Sequence, residues 1–171
     1  MRRSAPLWVL ALLFLAAPIT AHAQFANRSV NVTLGYMDLN YPAVSDGFPL
    51  GIGYSGYIDA GFEWTVAAQF MILRNEVAQR QMVGAAGGPG IRYLFLEESL
   101  RPYVGGELTY LHVFDPEVTF QRVGIGPYAG VDYFLTDSFS MGVRGQVNLY
   151  LMLNEEVNRS LGLNVIASAW F

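Results

Sequence analysis

The sequence predicts an all-β protein: an eight-stranded antiparallel up-and-down β-barrel that crosses a membrane. Apolar and polar residues alternate with period two in eight segments, as in strands with one apolar and one mixed face. Hydrophobic residues make up 53% of the 171-residue chain and charged residues only 14%, against about 25% charged residues in an average soluble domain. After residue 23 no apolar stretch is long enough for a membrane helix, so the apolar side chains are spread two residues apart, as a membrane barrel requires.

The N-terminal segment is predicted to be a cleaved signal peptide covering residues 1–23. Two arginines precede an apolar run, Leu7–Ala17, and small residues stand at the first and third positions before a cleavage site that follows Ala23. The run is shorter than the roughly 20 residues that a transmembrane helix needs. The barrel is therefore expected to comprise residues 24–171.

The chain is acidic and has no cysteine, and these two features exclude several functions. The ten cationic residues are all arginine and face fourteen acids, which gives a net charge of −4; without the two signal-peptide arginines the balance is 8 − 14 = −6. An acidic chain lacks the basic surface that nucleic acids require, so we expect no nucleic-acid partner. The chain has no cysteine, which excludes disulfides and thiol redox chemistry.

Turn and loop residues divide the predicted barrel into its strands. The strands span about 29–38, 48–58, 62–74, 82–95, 101–114, 120–134, 139–153 and 160–171, with a loop expected over 41–47. Pro89 and Pro127 fall inside two of them. Because proline cannot donate to a strand ladder, we expect a local bulge at each.

The distribution of aromatic residues favours a membrane barrel over a soluble, lipocalin-like barrel, which would turn its apolar face inward. The opposite face carries much of the glycine, serine, threonine and asparagine, and small residues fit the narrow interior of eight strands. The apolar face bears aromatic residues at the end with both termini and the short turns, which is expected to be periplasmic. We predict that they form an interfacial girdle: Phe62, Trp64, Tyr93, Phe95, Tyr133, Phe139 and Phe171.

The segments Arg101–Gly106 and Gly126–Asp137 contain strand and turn phrases that resemble those of a known family. The chain is similar, over residues 24–171, to the small bacterial outer-membrane β-barrels that include OmpX and the transmembrane domain of OmpA. The resemblance implies a location in the outer membrane, contact with its lipid, and recognition of the last strand, which ends on Phe171, by the outer-membrane assembly machinery. Such motifs indicate a fold and do not indicate a particular function.

Five charged residues are predicted on the inward face of five consecutive strands: Glu63, Arg92, Glu107, Asp132 and Arg144. One interpretation is an ion-paired plug that fills the lumen, since buried charges require partners. The other is a gate for protons or small ions. Three acids against two arginines would leave one acid without a partner.

The functional prediction is a non-enzymatic barrel. The single histidine after residue 23, His112, has no serine nearby in sequence and is expected on the lipid-facing side, so neither a serine hydrolase nor a metal site is expected. No cofactor is expected. We expect a plugged polar lumen and a structural or adaptor role in the cell envelope, with envelope proteins as partners. The alternative is a small channel or transporter for a small solute.

Overall fold

The computed structural model describes residues 27–41, 44–75, 77, 79–95, 99–114, 119–151 and 158–171. The predicted signal peptide and its cleavage site lie outside the described residues. Within the described part of the chain, no helix is long and apolar enough to cross a membrane. The strands are β1 (Arg28–Tyr41), β2 (Val44–Asp59), β3 (Phe62–Asn75), β4 (Arg80–Leu94), β5 (Leu100–Phe114), β6 (Phe120–Thr136), β7 (Phe139–Leu151) and β8 (Asn158–Trp170).

The eight strands close into one barrel. Each strand pairs antiparallel with the next, and β8 pairs with β1 from Trp170, opposite Ser29, to Ser160, opposite Leu39. Closure leaves no unpaired sheet edge. The predicted eight-stranded antiparallel barrel is confirmed.

The two ends of the barrel differ. One end, here called the turn end, carries Arg28, Phe171 and the short β2–β3 and β6–β7 turns; the opposite end is the loop end. Ala60 and Gly61 in the β2–β3 turn have φ of 50° and 85°, as a two-residue type I′ hairpin turn requires. A Cβ on Gly61 would also lie 2.9 Å from the carbonyl oxygen of Leu94. Residue 61 is therefore glycine for two reasons: the positive φ of the turn and the close approach of the Leu94 carbonyl oxygen.

The predicted loop over 41–47 is wrong for Tyr41, which belongs to β1, and for residues 44–47, which belong to β2. Met37 and Asp38 of β1 pair with Gly47 and Asp46, and Val44 is buried at 1% exposure. The proline, serine, aspartate and glycine of this segment suggested a loop from local preferences. Cross-strand pairing and the burial of Val44 outweigh those preferences.

The bulges expected at Pro89 and Pro127 are not found. The β4–β5 register is the same up to Gly87 as it is from Gly90 onward, and the β6–β7 register is the same on both sides of Pro127. Residues 88–89 have no partner on β5, and residues 126–127 have no partner on β7, but neither strand contains an extra residue. The missing proline donor is thus accommodated by a short unpaired stretch toward one of the two neighbouring strands.

The alternation of polarity reverses near the loop end. Over most of the barrel, apolar side chains face outward and small or polar ones inward, as predicted. Beyond Tyr36, however, Met37 and Leu39 face inward and are buried, whereas Asp38 and Asn40 are exposed on the outside. The barrel therefore has a long section that is apolar outside and a short section at the loop end that is apolar inside.

Candidate functional site: the barrel lumen

Arg92 is the centre of an ion-paired cluster in the turn half of the lumen. Its Nε donates to Glu63 Oε2 at 2.6 Å, directly across the β3–β4 ladder, and its Nη1 donates to Asp132 Oδ2 of β6 at 3.2 Å. The guanidinium carbon lies 4.9 Å from the ring centroid of Tyr103 and 5.8 Å from that of Trp170. Both carboxylates are almost fully buried. The cluster joins opposite walls of the barrel and satisfies charges that would be costly if left unpaired.

Glu107 and Arg144 lie outside that cluster and make no ion pair within the described part of the chain. Gln146 Nε2 donates to Glu107 Oε1 at 2.6 Å and to Asn148 Oδ1 at 2.7 Å. The Arg144 guanidinium carbon lies 5.0 Å from the ring centroid of Tyr128. The five predicted charges thus form two groups. Arg92 is ion-paired with two acids, whereas Glu107 is hydrogen-bonded to Gln146 and Arg144 lies against Tyr128.

A hydrogen-bonded chain continues from Glu107 along β7 and β8. Beyond the Gln146 bonds, Asn148 Nδ2 donates to Ser160 Oγ at 3.0 Å. These side chains lie on the inward faces of β7 and β8, which remain polar toward the loop end.

The loop half of the lumen contains an apolar cluster that sequence analysis missed. The prediction of a polar lumen is wrong for these inward positions. The inward positions of β1, β3, β4 and β5 become apolar toward the loop end, and this gradient could have been read from the sequence. The members are Met37, Leu39, Val44, Met71, Leu73, Met82, Ala86, Leu111, Val113 and Tyr150.

Inward-facing glycines make room for the polar side chains. A Cβ on Gly142 would overlap Asp132 Oδ1, and one on Gly130 would lie 2.5 Å from the Tyr103 hydroxyl. By contrast, a Cβ on the outward-facing Gly145 would meet nothing within 4 Å. The small residues on the lumen face therefore set how much polar volume the narrow barrel can contain.

The seven aromatic residues predicted as a girdle all lie on the outer face near the turn end. Three of these rings contact one another: the centroids of Phe62 and Tyr93 are 4.9 Å apart, and those of Tyr93 and Phe95 are 5.2 Å apart. Tyr93 is half-buried between its neighbours, and the other six are exposed: Phe62, Trp64, Phe95, Tyr133, Phe139 and Phe171.

A second set of exposed rings, which sequence analysis missed, lies on the outer face toward the loop end of β1–β5. His112 lies beside this set, on the outer face as predicted, and stacks on Phe114 at 3.9 Å. From Phe62 to Ile72 the apolar face of β3 extends over eleven residues, which is ten residue-to-residue steps. At a rise of about 3.3 Å per residue and a tilt of about 40°, this is a height of roughly 25 Å. The second set comprises Tyr36, Phe48, Phe70, Tyr110 and Phe114.

Solved structures share this barrel. Neisserial surface protein A matches with a TM-score of 0.66 and 18% identity, over 84% of this chain and 97% of its own. The N-terminal β-barrel domain of Pseudomonas aeruginosa OprF matches with a TM-score of 0.53 and 17% identity, over 82% and 96%. The outer-membrane protein OprG of Pseudomonas aeruginosa matches with a TM-score of 0.52 and 12% identity, over 86% and 95%.

These similarities show the fold. This chain has the fold of the small bacterial outer-membrane β-barrels. It is the fold that the resemblance to OmpX and the transmembrane domain of OmpA predicted. No protein-family model matches the sequence, and no curated protein matches it.

Proposed function

We propose that this protein is an integral outer-membrane β-barrel with a closed lumen, and that it serves as a non-enzymatic structural or anchoring element of the cell envelope. The observation that carries the proposal is the filled interior. An ion-paired cluster around Arg92 joins the walls of the turn half, and ten buried apolar side chains occupy the loop half.

The outer surface supports a position in lipid. Large apolar side chains are exposed around the barrel, among them Leu34 at 60%, Ile52 at 66% and Phe70 at 68%. A continuous apolar surface of this kind is unfavourable in water, and a closed sheet is one of two structures that satisfy their backbone groups in hydrocarbon. The two sets of rings would then lie at the two membrane interfaces, with the short turns in the periplasm.

The side chains that fill the lumen support a closed barrel rather than an open pore. A hydrated ion that entered from the loop end would have to lose water against the apolar cluster, in which only the Tyr150 hydroxyl is polar. An ion that passed the turn half would have to displace the Arg92 side chain from two carboxylates. Both halves therefore oppose conduction.

A channel or transporter for a small solute is the second candidate, and one feature favours it. The lumen wall formed by β7 and β8 stays polar from Ser140 near the turn end to Asn148 and Ser160 toward the loop end. Glu107 and Arg144 border this wall without an ion pair within the described residues.

Conductance in planar bilayers distinguishes the two candidates. The purified protein is expected to insert without a steady current. A variant opened in both halves, with Leu111→Ser and Met71→Ser in the loop half and Arg92→Ser in the turn half, is expected to conduct, whereas Leu108→Ser on the outer face of β5 is not. A reproducible pore in the unmodified protein would contradict the closed lumen and favour the channel.

A further inference from the structure

We propose that the outer face of β4 binds one acyl chain of a phosphorylated lipid, an inference that rests on the membrane position proposed above. In the loop half of the apolar band, the outward positions of β4 carry small side chains: Ala85, Gly87 and Pro89. Both neighbouring strands present larger side chains at this height. The outer face of β4 is therefore the floor of a groove that runs along the strand.

The β3 side of the groove is bounded by an exposed ring. Phe70 lies opposite Ala85, and its side chain is 68% exposed. Ala68, the next outward residue of β3 toward the turn end, widens the floor. Ile91, the next outward residue of β4 after Pro89, is 49% exposed and ends the floor.

The β5 side of the groove is a row of three rings. Tyr110 lies opposite Gly87, and His112 lies opposite Ala85. The ring centroids of Tyr110 and His112 are 6.3 Å apart, and those of His112 and Phe114 are 3.9 Å apart. The backbones of β3 and β5 are two strand spacings apart, about 10 Å. The space between their side chains therefore has the width of a single acyl chain.

The groove occupies the loop-side half of the apolar band. Ile72, at the loop-side limit of this band on β3, pairs with Val83, and Phe62, at the other limit, pairs with Tyr93. Residues 85–89 lie between Val83 and the middle of that span. An acyl chain in the groove would therefore belong to the leaflet on the loop side, which is the outer leaflet in the proposed orientation.

Donors for a phosphate lie beside the loop-side end of the groove. Arg74 and Gln81 are opposite each other at the next exposed outward positions. One donor of Arg74, Nη2, is used on Gln79 Oε1 at 3.2 Å. His112 makes ring contacts and no hydrogen bond within the described part of the chain. Guanidinium and imidazole N–H groups both donate to phosphate oxygens.

Charges elsewhere on the outer face favour this side of the barrel. Asp38 of β1 and Asp46 of β2 lie opposite each other near the loop end and would repel a phosphate. Because β2 is also next to β3, the phosphate is expected on the β4 side of Arg74. The exposed Arg159 of β8 is two residues from Leu161, the partner of Asp38, so an acid lies close to it.

The test is native mass spectrometry of the folded protein released from nanodiscs. The nanodiscs contain phosphatidylethanolamine with either bisphosphorylated lipid A or the same lipid without its phosphates. One phosphorylated molecule should stay bound per barrel, at about a tenfold lower lipid concentration than the dephosphorylated form.

Two pairs of variants locate the bound lipid. Ala85→Phe fills the groove and should weaken retention about tenfold, whereas Ala129→Phe, at an outward alanine of β6, should leave it unchanged. Arg74→Gln with His112→Gln should abolish the preference for the phosphorylated form, whereas Arg159→Gln should preserve it. All four positions face outward, so the lumen is left intact.

The contrary results separate the two proposals. Equal retention of both lipids, or equal losses in Ala85→Phe and Ala129→Phe, would overturn the groove and leave the membrane position standing. A protein dimer that Ala85→Phe dissociates would assign the groove to a second copy and overturn the lipid site. Failure of the unmodified protein to enter nanodiscs would contradict the proposed function itself.

Discussion

At the scale of residues, the packing of the lumen depends on polar side chains that lie directly over inward-facing glycines. Asp132 reaches Arg92 while its second oxygen lies over the bare backbone of Gly142. In a narrow barrel one methyl group is enough to displace a buried carboxylate from its partner. A substitution on the inner face therefore has a different effect from the same substitution on the outer face.

Gly142→Ala is expected to lower the free energy of unfolding by about 1–3 kcal/mol, because the new methyl group overlaps Asp132 Oδ1. Gly145→Ala, three residues along β7 and facing outward, is the matched control. Its methyl group meets nothing within 4 Å, and a change within about 0.5 kcal/mol is expected. Denaturant titration in lipid vesicles measures both values, and equal effects would disprove the overlap.

The two lumen arginines are expected to differ in their contributions to stability. Arg92→Met leaves two buried carboxylates without their partner and should cost about 3–5 kcal/mol. Arg144→Met removes a guanidinium that makes no ion pair within the described residues and should cost clearly less. Unfolding of both variants under the same conditions measures the difference. A cost at Arg144 as large as that at Arg92 would mean that the observed ion pairs are not the main source of stability.

At the scale of elements, β8 closes the barrel through its backbone. The amide of Phe171 donates to the carbonyl of Arg28 at 2.9 Å, and the amide of Arg28 donates to the carbonyl of Phe171 at 3.2 Å. The Phe171 ring itself is 60% exposed. The backbone role and the ring of this residue can therefore be separated by substitution.

Recognition of β8 by the assembly machinery stays a prediction, and Phe171→Ala tests it. Loss of the ring should impair insertion in cells nearly as much as deletion of residue 171. Refolding of the Phe171→Ala protein into pure lipid should change little, because the two backbone hydrogen bonds remain. Phe139→Ala, with an exposed ring at the same end of β7, is the control and should insert normally. Normal insertion of Phe171→Ala in cells would refute recognition of the ring.

At the scale of the whole molecule, the reversal of polarity marks where the proposed membrane section of the barrel ends. Below the level of Tyr36 and Ile72 the outside is apolar; above it, Asp38 and Arg74 are exposed and the apolar side chains turn inward. The loop-end section thus resembles a small water-soluble barrel with its own core, continuous with the section that is apolar outside.

Single cysteines should map this boundary, since the chain has no cysteine of its own. Asp38→Cys and Arg74→Cys are expected to react with a membrane-impermeant maleimide on intact cells. Leu34→Cys and Phe70→Cys, on the same outer faces within the apolar band, are expected to stay unlabelled. Equal labelling of all four would contradict the position of the boundary, and labelling only after the outer membrane is permeabilised would reverse the orientation.

The faces of the strands were predictable because a period of two is local: neighbouring side chains point to opposite sides whatever the rest of the chain does. The predicted faces of β7, from Phe139 and Ser140 onward, agree with the observed burial. The loop assigned to residues 44–47 was wrong because its turn residues are also compatible with a paired strand. The apolar cluster at the loop end was missed although its gradient is visible in the inward positions of β3 and β4.

The periodicity and composition of the chain predict a closed all-β barrel, the side of each strand that faces outward, and the aromatic residues at the turn end. Only the tertiary structure decided which of the inward charges meet. Arg92 and Glu63 are neighbours on one ladder, but Asp132 reaches Arg92 from β6, which is separated from β4 by β5. That contact depends on strand register and tilt summed around the barrel, and no local pattern records either. For the same reason only the structure separated Arg144 from the ion pairs.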